Sequence, residues 1–203
     1  MDARRLIGAK RWLAKEVLST CDTYNWRCID DTTRAYAAYI LTRDNILAHS
    51  GLDYIAEKHL STGEAKAWWL LAITEAQDKG KTLTSTQTET IADIQKEFER
   101  QLIARDRYTY WQSGDTHFYS QDERLTSVYL SYALRTGILP SYHTDIVRYL
   151  VESRSQTLSG NTALRILASL MNYSDARGDI SFPITYHVTA DEQDVLSGQL
   201  RNT

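Results

Sequence analysis

The sequence predicts an all-α protein, a partial α/α toroid built as a ring of helical hairpins, with the start of a β-rich domain at its C-terminus. Three observations predict it. Apolar residues recur every three or four positions through most of the chain. Segments with one apolar stripe take turns with segments that are apolar nearly all round, and the second kind can be buried only if the first kind packs around it. The period changes from helical to alternating only at the C-terminal end. A helical solenoid would satisfy the same two-layer pattern, but the ring does so most directly.

The elements follow in order. Ala3 to Leu18 forms a first helix, with Leu6, Ile7, Trp12, Leu13, Val17 and Leu18 on one side. Asp30 to Thr33 supply capping chemistry for Arg34 to Arg43, whose AYAAYILT run must be buried almost all round. Leu52 to Leu60 is a short amphipathic helix with Asp53, Glu57 and Lys58 on its open face. Ser61, Thr62 and Glu64 open the next apolar helix, EAKAWWLLAITEAQ, which Lys79 and Gly80 end. Thr86 to Arg105 is charged, with a single stripe of Ile91, Ile94, Phe98, Leu102 and Ile103. Ser120 to Thr136 is polar only at its start, and Gly137 stops it. Tyr142 to Ser153 is amphipathic again, and Asn161 to Tyr173 is mostly apolar.

Beyond Gly178 the pattern is different. Ile180, Phe182, Ile184, Tyr186 and Val188 alternate with polar residues as in a half-buried strand, and Pro183 places that strand at an edge or at its beginning. Val195 to Leu200 starts a second strand. Two strands alone are marginal, so they point to a sheet that continues elsewhere. The expected division is therefore 1–177 as the partial toroid and 178–203 as the beginning of a following β domain.

Composition narrows the function. The net charge is −3, and Lys and Arg are scattered rather than gathered into the basic stripe that a phosphate backbone needs, which excludes a nucleic-acid partner. No apolar run approaches the ~20 residues of a membrane span, and MDARRLIGAKRWLAKE lacks the apolar core of a signal peptide. Cys21 and Cys28, in CDTYNWRC, either close a small disulfide or stand as two free thiols in a helix connection. No metal site or cofactor is expected. The cysteines lack a second pair, and His49, His59, His117, His143 and His187 never fall at the spacing of a helical ligand pair, which leaves them as surface or loop residues.

The inner helices open with polar segments, DDTTR, STGEAK, SQDERLT and SGNTA, whose side chains can bond the free N–H groups of a first turn. In a ring these openings would share one polar end. Catalytic motifs are absent from them. An acid motif D-x-D-D would need Asp at position 28, which is Cys28, and a metal motif D-D-x-x-D would need Asp at 34, which is Arg34, so Asp30 and Asp31 read as a helix cap. No G-x-S-x-G and no Gly-rich phosphate loop occurs. Trp68 and Trp69 read as helical core or ring lining.

The inner segments TRAYAAYILTRDN and GEAKAWWLLAITEAQDKG resemble consecutive helices of the bacterial alpha-2-macroglobulin family. WQSGDTHFYSQDERLTSVYLSYALRTG and TDIVRYLVESRSQTLSGNTALRILASLMNY are similar to that family's later segments, in the same order, over roughly residues 30 to 175. The resemblance implies the later part of a thioester-type α/α-toroid domain in a periplasmic or extracellular protein of the cell envelope. Its partners would be endopeptidases, trapped non-catalytically, and the other domains of the same polypeptide. The family's covalent capture needs C-x-E-Q. Cys21 is followed by DTYN and Cys28 by IDDT, so the thioester is absent from this segment and neither cysteine takes its role.

Two other readings use the same pattern. One is an enzyme on the ring, of cyclase or glycosidase type, with acids such as Asp31, Glu64 or Asp122 at the polar end. The other is a helical-repeat interaction module. As a partial ring, the chain is also expected to leave apolar faces of Arg34 to Arg43 and of the closing helix pair open, and so to associate on its own.

Overall fold

The computed structural model describes residues 3–19, 29–113, 121–152, 160–177, 184–190 and 193–200. These are predominantly helical. The helices are α1 (Ala3–Val17), α2 (Asp31–Arg43), α3 (His49–Lys58), α4 (Gly63–Asp78), α5 (Ser85–Gln101), α6 (Gln121–Thr136), α7 (His143–Glu152) and α8 (Gly160–Arg177). Two antiparallel hairpins accompany them among the described residues, β1 (Leu102–Arg105) with β2 (Tyr108–Trp111) and β3 (Ile184–Ala190) with β4 (Gln193–Leu200).

The apolar helices are neighbours in space: α2 packs on α4, α4 on α6, and α6 on α8. Side-chain contacts show that they run the same way. At the N-terminal end, the Thr32 and Thr62 hydroxyls meet at 2.9 Å. At the C-terminal end, Lys79 Nζ donates to the Thr42 carbonyl at 3.0 Å and to that of Arg43, and Arg135 pairs with Glu75 at 3.0 Å and with Asp78. Gly80 and Gly137 close α4 and α6 with φ of 78° and 70°, a conformation open to glycine at little cost.

Helices with one apolar stripe lie outside this row. From α1, Val17 is buried and Leu13 half-buried against the core. Trp12 is 61% exposed. Its five-residue spacing from Val17 turns it to the far side of the helix, unlike the one-sided grouping read from sequence. α1 is held at its C-terminus by Arg34, itself 1% exposed, whose guanidinium donates to the carbonyls of Glu16 (3.1 Å), Val17 and Ser19 (3.1 Å). α5 bridges two inner helices, with Lys66–Glu97 at 2.6 Å on α4 and Gln95–Tyr132 at 2.7 Å on α6.

The helix expected over Thr86 to Arg105 is cut short. Leu102 leaves helical geometry at ψ 122°, and the chain turns through Asp106 (φ 47°) into β2. This places Trp111 in the core, where its indole donates to the Phe98 carbonyl at 3.0 Å, its backbone N–H to the Thr126 hydroxyl at 3.1 Å, and its ring meets Tyr129 edge-on. α3 begins three residues before Leu52, and α8 runs four residues past Tyr173. β3 takes in Ile184, Tyr186 and Val188 and β4 takes in Val195 to Leu200, while Ile180, Phe182 and Pro183 lie outside the described residues.

The expected open faces are met in part. The apolar side of α2 is covered by α1 and α4. On α8, Leu164 is 59% exposed and Met171 lies on the same face seven residues on, also exposed. Sedimentation of the chain is expected to show self-association that the double substitution Leu164→Lys, Met171→Lys abolishes, with the free energy of unfolding in urea unchanged within ~0.5 kcal/mol.

Candidate functional site

The N-terminal end of the inner row carries a cluster that joins all four of its helices. Thr62 caps α4 by accepting from the Ala65 N–H at 3.1 Å, which sets Glu64 in the first turn. The Glu64 carboxylate accepts from Arg124 of α6 at 2.7 Å, from Arg165 of α8, and from the Trp68 indole at 3.4 Å. The Arg165 guanidinium lies 5.4 Å from the Trp68 ring and 5.7 Å from the Tyr36 ring of α2. Tyr36 and Tyr39 both pack on Trp68, at 4.6 and 5.4 Å between centroids. Because α8 thereby reaches α2 as well as α6, the row is curved rather than flat.

The contacts of this cluster tie α4, α6 and α8 together. Each Glu64 oxygen accepts from a guanidinium, and one of them from the Trp68 indole as well, so two cations from other helices neutralise the carboxylate. Burial pushes the Arg165 guanidinium below its ordinary value. The carboxylate and the two ring faces offset that cost and keep the cation in place.

A second group lies beside it. Asp31 accepts from the Ser61 hydroxyl and pairs with His59 Nδ1 at 3.0 Å, and His59 Nε2 lies 3.4 Å from the Tyr54 hydroxyl. The third acid read from sequence, Asp122, accepts from the Ser113 N–H at 2.7 Å and ties the exit of β2 to the first turn of α6. Beside it, burial and then the Asp122 charge raise the Glu123 carboxyl above its usual range. The three acids therefore have separate partners. Asp30 is the cap expected of it, accepting from the Thr33 N–H at 2.9 Å and hydroxyl at 2.7 Å.

Of the histidines read as surface or loop residues, His59 lies in the connection after α3, whereas His49 and His143 are the first residues of α3 and α7 and only part-exposed. His59 is half-buried in the Asp31 group, and His49 opens α3 with both ring nitrogens buried. His143 bonds the Ile138 carbonyl at 2.8 Å, and His187 falls in β3. Cys21, Cys28 and His117 lie outside the described residues. No group of His, Cys, Asp and Glu able to hold a metal ion occurs among the described residues, and no described helix is long and apolar enough to cross a membrane.

Sequence reasoning missed Arg124, Arg165 and Tyr36. The available signal was Arg165, a lone charge inside the apolar run NTALRILASLMNY, where burial demands a partner.

The fold and this cluster define the chain by class: an all-α protein of two helical layers. Compared with protein-family models, curated proteins and solved structures, it matches none.

Two outcomes test the site. Glu64→Ala leaves two guanidinium groups facing each other and is expected to cost about 3 kcal/mol in urea unfolding. Asp30→Ala is expected to cost about 1 kcal/mol at neutral pH. Burial opposes the Asp30 charge, but bonds from Thr33 outweigh it and hold its carboxyl below the ordinary 3.8. The stabilisation is thus full above that value and lost as pH falls through the lower folded one, so an acid titration of both proteins should show the gap closing there.

Proposed function

We propose that the chain is a non-catalytic scaffold: the later part of an α/α toroid in an alpha-2-macroglobulin-like protein that traps endopeptidases, with 178–203 opening the β domain that follows. The parent acts in the periplasm or outside the cell. The observation that carries the reading is the curved, parallel inner row, formed by the same stretches whose order resembles that family. Its polar end supports a scaffold further, since Glu64 is spent on holding helices together. Trapping here is independent of a thioester within this segment.

The test uses the complete protein that contains this chain, incubated with an endopeptidase. Trapping leaves cleavage of a short peptide intact while cleavage of a large folded protein falls sharply. Equal loss on both substrates, or loss on neither, overturns the reading.

The enzyme reading rests on one observation, the Tyr54–His59–Asp31 chain, in which a carboxylate orients an imidazole toward a hydroxyl. In the same assay, Asp31→Asn and His59→Gln are expected to leave trapping unchanged. Any screened hydrolytic activity that these two substitutions abolish would favour the enzyme instead.

A further inference from the structure

At the opposite end of the row, where α2, α3 and α4 meet, a cavity of about 30 Å³ is lined by Thr42, Asn45, His49, Leu52, Lys79 and Lys81 among others. Its lining residues carry three buried polar side-chain atoms with no partner: Thr42 Oγ1, His49 Nδ1 and His49 Nε2. Thr42 is only 6% exposed, so bulk water does not satisfy its hydroxyl. Leaving such groups unpaired costs ~1–3 kcal/mol each, which means that the cavity is built to hold something polar.

The balance of donors and acceptors says what. The carbonyls around the cavity are already used. Ile40 accepts from Asp44 at 3.1 Å, Leu41 from Ile46 at 2.8 Å, and Thr42 from Asn45 at 3.0 Å and from Lys79 Nζ at 3.0 Å. On α4, Ala76 accepts from Lys79 at 3.2 Å and Lys81 at 3.0 Å, and Gln77 accepts from Gly80 at 2.8 Å. The nearby carboxylates are neutralised too, Asp44 by Lys10 at 2.7 Å and Glu75 by Arg135 at 3.0 Å.

Donors, by contrast, remain. The Thr42 hydroxyl, an imidazole N–H of His49 and the Lys81 ammonium all belong to the lining. The first turn of α3 adds its own, because the N-cap Ala48 provides no side-chain bond, and the helix N-terminus carries partial positive charge. A cation would find few acceptors here, whereas an anion matches both the buried donors and the exposed Lys81 ammonium at the mouth of the cavity.

We propose that this cavity is a binding site for a small monatomic anion of chloride size. A volume of about 30 Å³ has room for one or two particles of water size, so a monatomic anion fits it. The anion would accept from Thr42, His49 and Lys81 together and so pin the α2–α3 turn to the end of α4.

The experiment compares sodium chloride with sodium gluconate at fixed ionic strength, using the whole 203-residue chain. Chlorine-35 line broadening is expected to saturate with protein and to be displaced by bromide. The melting temperature should rise with chloride and not with gluconate, as for any ligand of the folded state. Thr42→Val keeps the side-chain shape and loses no existing bond, so it should fold normally while losing the chloride response. Lys81→Gln should weaken binding about tenfold. Equal melting in both salts, or broadening unchanged in Thr42→Val and Lys81→Gln, overturns the proposal and leaves the cavity to water.

Discussion

Four helices lying side by side in one direction place like ends of their dipoles together, and this constraint organises the rest of the molecule. At the N-terminal end the partial positive charges meet acids, Asp30, Asp31, Glu64 and Asp122, while at the C-terminal end Lys79 and Arg135 face the terminal carbonyls and carboxylates. An antiparallel bundle would cancel its dipoles by geometry. Here the cancellation is done by side chains, and those same side chains become the ties between helices. Glu64 is both a favourable charge for its own first turn and the anchor for two cations from other helices.

The outer layer answers a different demand. Its helices must cover the apolar outside of the row, and polar contacts fix them to the inner helices and to one another, as where Gln87 of α5 donates to Asp53 of α3 at 2.7 Å. Arg34 shows the economy of this: one buried guanidinium collects three carbonyls at the end of α1 and joins an outer helix to an inner one. The β1–β2 hairpin turns the chain back at the end of α5 and brings Tyr110 onto Tyr149 of α7 at 4.5 Å.

Much of this was legible in the sequence because helical periodicity and capping are local. α2, α4 and α6 begin and end close to where Asp30, Thr62, Gly80 and Gly137 say they should. The hairpin was not legible, because Leu102 and Ile103 continue the stripe of α5 and only the alternation in YTYW argues against a helix. The site was half legible. The polar openings could be seen, but their partners depend on which residues of different helices share a level, and that follows from the parallel alignment rather than from any one segment. His59 needed the same knowledge, since its partner Asp31 is 28 residues away.

The adjacent pair Trp68 and Trp69 carries a mechanical consequence. Successive helical residues differ by about 100° in direction, so the two rings leave α4 toward different layers. Trp69 donates to the Leu52 carbonyl of the outer α3 at 2.9 Å, while Trp68 packs against the tilted ring of Tyr36 in the inner cluster. A displacement of α4 along its axis would break both engagements at once, and a shift by one turn would bring Ala72 and Ile73 to those places, which cannot remake them. α4 thus acts as a keyed shaft between the layers, which can be seated or released but offers no stable position in between.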